Sequence, residues 1–403
     1  MVPDGWSAQS VGEFCEFFNG NGFKASEWST QGWPIIRIQN LNGSSDFNYF
    51  NGEVKDRWVV EPGDILFAWA GTKGVSFGAK RWSGPRGVLN QHIFRVEPKM
   101  KVNPDWLYFA LIRVTECVEN KAHGFKATLL HVQKSDIAEQ VIPVPPLLEQ
   151  NRIARILSTW DEAIATTEQL LANSEQQKKA LMQQLLTGKK RLPGFEGEWF
   201  SAKMGDVFRR VTTKNDGQSA NVVTISGKQG LIRQQEFFKK SIASEFLDGY
   251  FLIKKGQFAY NKSYSKGYPM GAVKRLNRYP EAVVTTLYIC FEIADEKMAS
   301  GDYLEHYFEA GFLNHGLSKV ANEGGRAHGL LNVKPADFFS LSVSLPNLDE
   351  QKAIAKVIAS AEKEVQELEK DLSLLQKQKK ALMQQLLTGK RRVKVDEAER
   401  ATA

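Results

Sequence analysis

Residues 177–189 read QKKALMQQLLTGK, and residues 378–390 read the same thirteen letters, displaced by 201. The match continues upstream at that displacement: Pro145 with Pro346, Leu147 with Leu348, Glu149-Gln150 with Glu350-Gln351, and Ile153-Ala154 with Ile354-Ala355. Arg191 and Arg392 close the two copies. A second displacement, of 193, aligns Trp6, Gly12 and Glu13 with Trp199, Gly205 and Asp206, and Gly63 with Gly256. Self-similarity of this kind decides the architecture before any strand is assigned. The 403 residues divide into two tandem units, each a globular part followed by a helical part.

The helical parts follow a 4-3-4-3 spacing. The first copy runs Ile153, Leu157, Trp160, Ile164, Thr167, Leu171, Ser174, Lys178, Leu181 and Leu185. The second runs Ile354, Ile358, Ala361, Val365, Leu368, Leu372, Leu375, Lys379, Leu382 and Leu386. An apolar period of 3.5 residues, with the same lysine as an exception in each copy, is the pattern of a coiled-coil seam. Pro145, Pro146 and Pro346 precede the helices, and Gly188 and Gly389 stop them. About forty residues per helix give roughly 60 Å at 1.5 Å per residue. Such a striped helix needs a partner, and its duplicate is the natural one, antiparallel or parallel; a plain dimerisation coiled coil is the competing reading. The expected boundaries are 1–145 and 191–345 for the globular parts, 146–190 and 346–392 for the helices, and 393–403 for a disordered tail.

The globular parts read as α+β. Short β-branched or aromatic runs (35–38, 65–69 and 92–96; then 222–225, 257–260 and 287–293) precede one helix in each part, near Trp106–Glu119 and Tyr303–Asn314. A hydrophobic fraction of 42% and a charged fraction of 25% exclude a wholly disordered or fibrous chain. Three cysteines without paired spacing point to neither a disulfide framework nor a zinc site, and fit a reducing cytoplasm. No run of 18 apolar residues suggests a membrane span.

The net charge of +7 says little until it is placed, because residues 1–145 carry 15 basic and 15 acidic side chains. Between Asp64 and Glu97, however, stand five basic residues and no acid, and between Asp248 and Glu281 seven and again no acid. Within these segments Thr72-Lys73-Gly74, with Lys80 and Arg81 beyond, matches Ser265-Lys266-Gly267, with Lys274 and Arg275 beyond; the displacement of 193 pairs Arg81 with Lys274. A hydroxyl, a point charge and an unobstructed backbone N–H are what contact with a phosphate requires, so these ten residues are the candidate DNA contacts. A solvated hairpin is the competing reading for either copy alone. No phosphate loop, HExxH or paired-cysteine motif occurs. Asn103-Pro104-Asp105-Trp106 reads as a helix start, and His92, His131 and His328 have no partner at a metal-ligand spacing.

Two half-length units, each closing in P-x-L-x-EQ-x-x-IA and a helix ending KKALMQQLLTGK before basic residues, resemble the specificity subunit of a type I restriction-modification enzyme. The likeness runs from Trp6 to Arg392, and Gly32–Leu41 also resembles the opening strand of such a target-recognition domain, with no obvious counterpart in the second half. The resemblance implies two recognition domains, each reading half of a bipartite DNA target. It also implies an antiparallel helix pair, with an internal pseudo-twofold repeat, that sets the spacing. That pair (Ile153, Leu157, Trp160, Ile164, Leu181 and Leu185 with Ile354, Ile358, Leu368, Leu372, Leu382 and Leu386) would dock two methyltransferase subunits and the restriction subunits. Catalysis, S-adenosylmethionine, ATP and Mg would then belong to the partners, leaving this chain without cofactor or metal. As a ruler, the helix would change spacer preference on insertion near Thr187. The recognition half of a split DNA methyltransferase and a coiled-coil scaffold indifferent to DNA are the alternatives.

Overall fold

The computed structural model describes residues 2–121, 129–238, 247–321 and 331–394. His328 and most of the expected disordered tail, 395–403, lie outside the described residues; Val393, inside them, packs on a hydrophobic core. The chain forms two units, Met1–Glu168 with Lys370–Ala403 and Gln169–Glu369.

In the first unit the runs 65–69 and 92–96 supply β2 (Ile65–Ala68) and β5 (Ile93–Pro98) of an antiparallel sheet completed by β1 (Cys15–Asn19) and β4 (Gly78–Arg81), ordered β1-β5-β2-β4. Between β2 and β4 the chain makes a short strand β3 (Ala70–Thr72), which pairs with β6 (Leu129–His131). Helix α1 (Pro104–Lys121) starts where the Asn103 side chain accepts from the N–H groups of Asp105 and Trp106, both at 3.0 Å. Its buried stripe includes Trp106, Leu107, Ala110, Leu111, Val114 and Val118, the spacing of one helix face laid on a sheet. A second, five-stranded sheet contains Trp33–Ile36; the run Gly32–Leu41 thus splits into that strand and a short helix, Ile38–Leu41.

The second unit has a sheet of β7 (Phe208–Val211), β8 (Phe258–Asn261), β9 (Ala272–Arg275) and β10 (Ile289–Ile293), ordered β7-β10-β8-β9 and again antiparallel. Its core is aromatic. Phe291 is fully buried with ring centroids of Phe208, Phe258 and Phe338 at 5.0, 5.4 and 5.3 Å. The helix expected over Tyr303–Asn314 is instead α3 (Gly301–Glu309), ended by Gly311 at φ +75°, followed by a separate helix Asn314–Val320.

The long helices are α2 (Leu147–Leu185) and α4 (Leu348–Leu386). All twenty seam positions are buried or half-buried. The two lysine exceptions are explained by carboxylates across the seam. In the first unit Lys379 binds Asp161; in the second Lys178 binds Glu362 at 3.0 Å and Ser174 binds Glu364 at 3.0 Å. In the second unit, partners descend one helix as they ascend the other, so the paired segments run antiparallel. Because the Lys379 side chain is only 14% exposed, the two partners are not equivalent. Asp161→Ala strands a half-buried ammonium and is expected to destabilise by about 1–2 kcal/mol, whereas Lys379→Met is expected to be neutral or stabilising in chemical denaturation.

The shared Glu-Gln pair is a joint. Glu149 is bound by Arg392 and by the indole N–H of Trp6 at 3.1 Å, while Arg191 grips the fully buried Glu350 with two nitrogens. Gln150 accepts from the Asn103 N–H at 3.0 Å, and Gln351 from the Ser300 N–H at 2.9 Å, just before α1 and α3. Each glutamine thus ties the start of a long helix to the start of its unit's sheet-packed helix, and each glutamate ties it to the arginine beyond the end of the other. Buried polar side chains with full sets of partners specify one geometry.

Candidate nucleic-acid interface

The loop leaving β2 is the place where the basic constellation meets structure. Thr72 N–H donates to Ser76 Oγ at 2.7 Å, and the amides of Val75, Ser76 and Phe77 all turn back to the Thr72 carbonyl, which folds 72–77 into a tight turn. Gly74 sits at φ +69°, a conformation that favours glycine. Lys73 is exposed at the tip, its ammonium bonded to the Glu119 carbonyl at 3.0 Å, and Lys80 is half-buried beside it. In the second unit Ser265, Lys266 and Gly267 are all exposed on a turn closed by Ser265 and Tyr268, with Gly267 at φ +88°.

Four of the ten expected contacts are engaged by carboxylates of the chain itself. The Gly74 N–H already donates to the Glu119 carboxylate at 2.8 Å, so a side-chain anion fills the position expected for a phosphate. Arg81 pairs with Asp105 and Arg275 with Asp302, the acid in the first turn of α1 and of α3 respectively. Lys274 is 9% exposed and bound to Glu309, with its ammonium 4.9 Å from the Tyr268 ring centroid. Burial, aided by Glu309, raises the Tyr268 phenol well above its ordinary value, so it stays protonated, its single O–H placed to donate to Glu309 at 2.6 Å with the Gly227 carbonyl 2.8 Å away. A cation paired with a carboxylate reaches a phosphate only by giving up that partner. Thr72, Lys73, Lys80, Ser265, Lys266 and Gly267 carry no such carboxylate pair among the described residues.

The pairing of Arg81 with Lys274 also changes. Arg81 faces Ile65 and Arg275 faces Phe258 across the equivalent strand pairs, so Arg81 corresponds to Arg275 and Lys80 to Lys274. The connection between the strands is 69–77 in one unit and 262–271 in the other, one residue longer. A one-residue slip turns each strand side chain to the other face.

Three side chains that spacing could not connect stand together at the other end of this loop. The Trp69 ring lies 5.1 Å from His92 and 4.8 Å from His131, with the imidazoles 6.5 Å apart. The β3–β6 ladder, joining residues some sixty apart in sequence, is what assembles them. Among the described residues no helix is long and apolar enough to cross a membrane.

Comparison with known proteins matches residues 3–176 to the type I restriction modification DNA specificity domain. The chain is 23% identical over 421 residues to the type I restriction enzyme MjaVIII specificity subunit of Methanocaldococcus jannaschii, covering 98% of this chain and 94% of that protein. It is 27% identical over 195 residues to the type I restriction enzyme EcoBI specificity subunit of Escherichia coli, covering 47% and 40%. Its fold is similar to the crystal structure of a type I restriction-modification system S subunit from M. genitalium, with a TM-score of 0.56, 15% identity and 96% of each chain covered.

Proposed function

Residues 3–176 match the type I restriction modification DNA specificity domain, and from that match we propose that this chain is the specificity subunit of a type I restriction-modification system and reads a bipartite double-stranded DNA target, one half-site per unit. The chain is the non-catalytic, target-recognising subunit of such a system. The observation that carries the bipartite reading is the recurrence, in each unit, of one four-strand order, one Arg–Asp clamp and one Glu-Gln joint around loops of different sequence. A kept scaffold with changed loops suits two domains that bind the same polymer at different sequences. In this reading the units are copies under an internal pseudo-twofold repeat. The paired helices set the half-site spacing and dock two modification subunits together with the restriction subunits. S-adenosylmethionine, ATP and Mg act in those partners, and the complex works in the cytoplasm.

Lys73 and Lys266, exposed at matched turns, are the proposed phosphate contacts. The Lys73→Ala/Lys266→Ala chain, assembled with its modification subunits, is expected to bind DNA about tenfold more weakly at every sequence. The slope of log affinity against log salt should fall by about two. Unchanged affinity and slope would remove both lysines from the interface; a wild-type chain with no affinity for DNA would instead favour a scaffold.

A further inference from the structure

The cluster around Trp69 is unused by the phosphate contacts, and it is polar where a sealing element would be apolar. Trp69 Nε1 and His92 Nδ1 are buried without a hydrogen-bond partner, so the rings are held by tilted and edge-on ring contacts, with the Phe94 centroid 6.0 Å from that of Trp69. The outer edge is open. His131 and Gln91 are exposed, and the Gln91 amide meets His92 Nε2 at 3.2 Å. Gln91 packs against Gly22, where a Cβ would come within 2.7 Å of its Oε1, so the absence of a side chain there leaves room for the amide.

The second unit exchanges this chemistry while keeping the scaffold. Trp69 follows β2 directly and Lys262 follows β8 directly. Phe94 faces Phe67 as Ile289 faces Tyr260, so His92 corresponds to Leu287, which is 57% exposed. An indole and an imidazole in one unit are therefore a lysine and a leucine in the other. The three residues of β3 stand between Trp69 and Lys73, four steps of about 3.3 Å or roughly 13 Å along the strand, so a phosphate held by Lys73 would leave a neighbouring base edge within reach of the cluster.

We infer that Gln91 and His131, positioned by Trp69 and His92, form the base-reading patch of the first unit; this rests on the DNA-reading function proposed above. A carboxamide matches the donor and acceptor of adenine in the major groove, and an imidazole supplies a further donor or acceptor to the adjacent pair. Both reading side chains are exposed, so removing them leaves the core in place.

The test is methylation of a randomised DNA library by the chain assembled with its modification subunits, read base by base, for wild type and for Gln91→Ala, His131→Ala and the double variant. The expected result is a loss of discrimination of about tenfold or more at one or two adjacent positions of one half-site. The other half-site, the spacer and the salt slope stay as in wild type. A double variant with an unchanged motif overturns the inference and leaves the bipartite reading standing. Loss of both half-sites together, with a lowered melting temperature, makes the cluster a packing element and also overturns it. A wild-type complex without sequence preference removes the underlying reading, and this inference with it.

Discussion

A heptad inserted after Glu168 and another after Glu369 is expected to abolish methylation at the original target and to move the preferred target to a longer spacer, with both half-site sequences retained. Seven residues keep the 3.5-residue seam in phase, so the twenty buried or half-buried positions keep their partners. Seven residues also add about 10 Å of helix, equivalent to roughly three base pairs of rise. Three base pairs turn the groove by about a third of a turn, so methylation at the longer target is weaker than at the original one in wild type. Thr187 is the wrong place for this experiment. It follows the last helical residue, Leu185, with its hydroxyl on the Gln183 carbonyl at 2.6 Å, so an insertion there lengthens a turn and leaves the seam as it was. Methylome mapping of the double-heptad chain reads the outcome directly, and an unaltered spacer contradicts the ruler.

Phe291→Ala is expected to remove about 3–5 kcal/mol from the second unit. The ring is fully buried, stacked on Phe258 at 9° between planes and edge-on to Phe208 at 82°, so its loss leaves a cavity that rigid neighbours cannot close. The first unit has its own core, around Trp106 and Phe14, and keeps its stability. Hydrogen exchange resolved by peptide should therefore show lost protection in 200–345 and unchanged protection in 15–120. Equal loss across both stretches contradicts two separate cores. If one half-site is read per unit, recognition at one half-site fails first on warming.

The helices were legible because a period of 3.5 survives in the letters, and the duplicated lysine, an apparent flaw, is the seam's own ion pair. The Glu-Gln motif was visible as a repeat but not as a joint, since Asn103, Ser300, Arg191 and Arg392 lie far from it in sequence. Strand positions were legible to within a few residues. Register was not, because the extra residue in 262–271 is silent in a composition that aligns Gly78 with Gly271. The basic segments were found by charge alone, and charge does not reveal its own neutralisation: Asp105, Asp302 and Glu309 reach back from helices that follow later in the chain. The Trp69, His92 and His131 cluster left no local pattern, as only the β3–β6 pairing brings it together.

The most direct test of a two-headed reader is long-read mapping of methylated bases in DNA modified by the wild-type chain with its modification subunits. The account predicts a motif in two specified parts separated by a gap of fixed length and free sequence. A single continuous motif, or modification without any sequence preference, would contradict it.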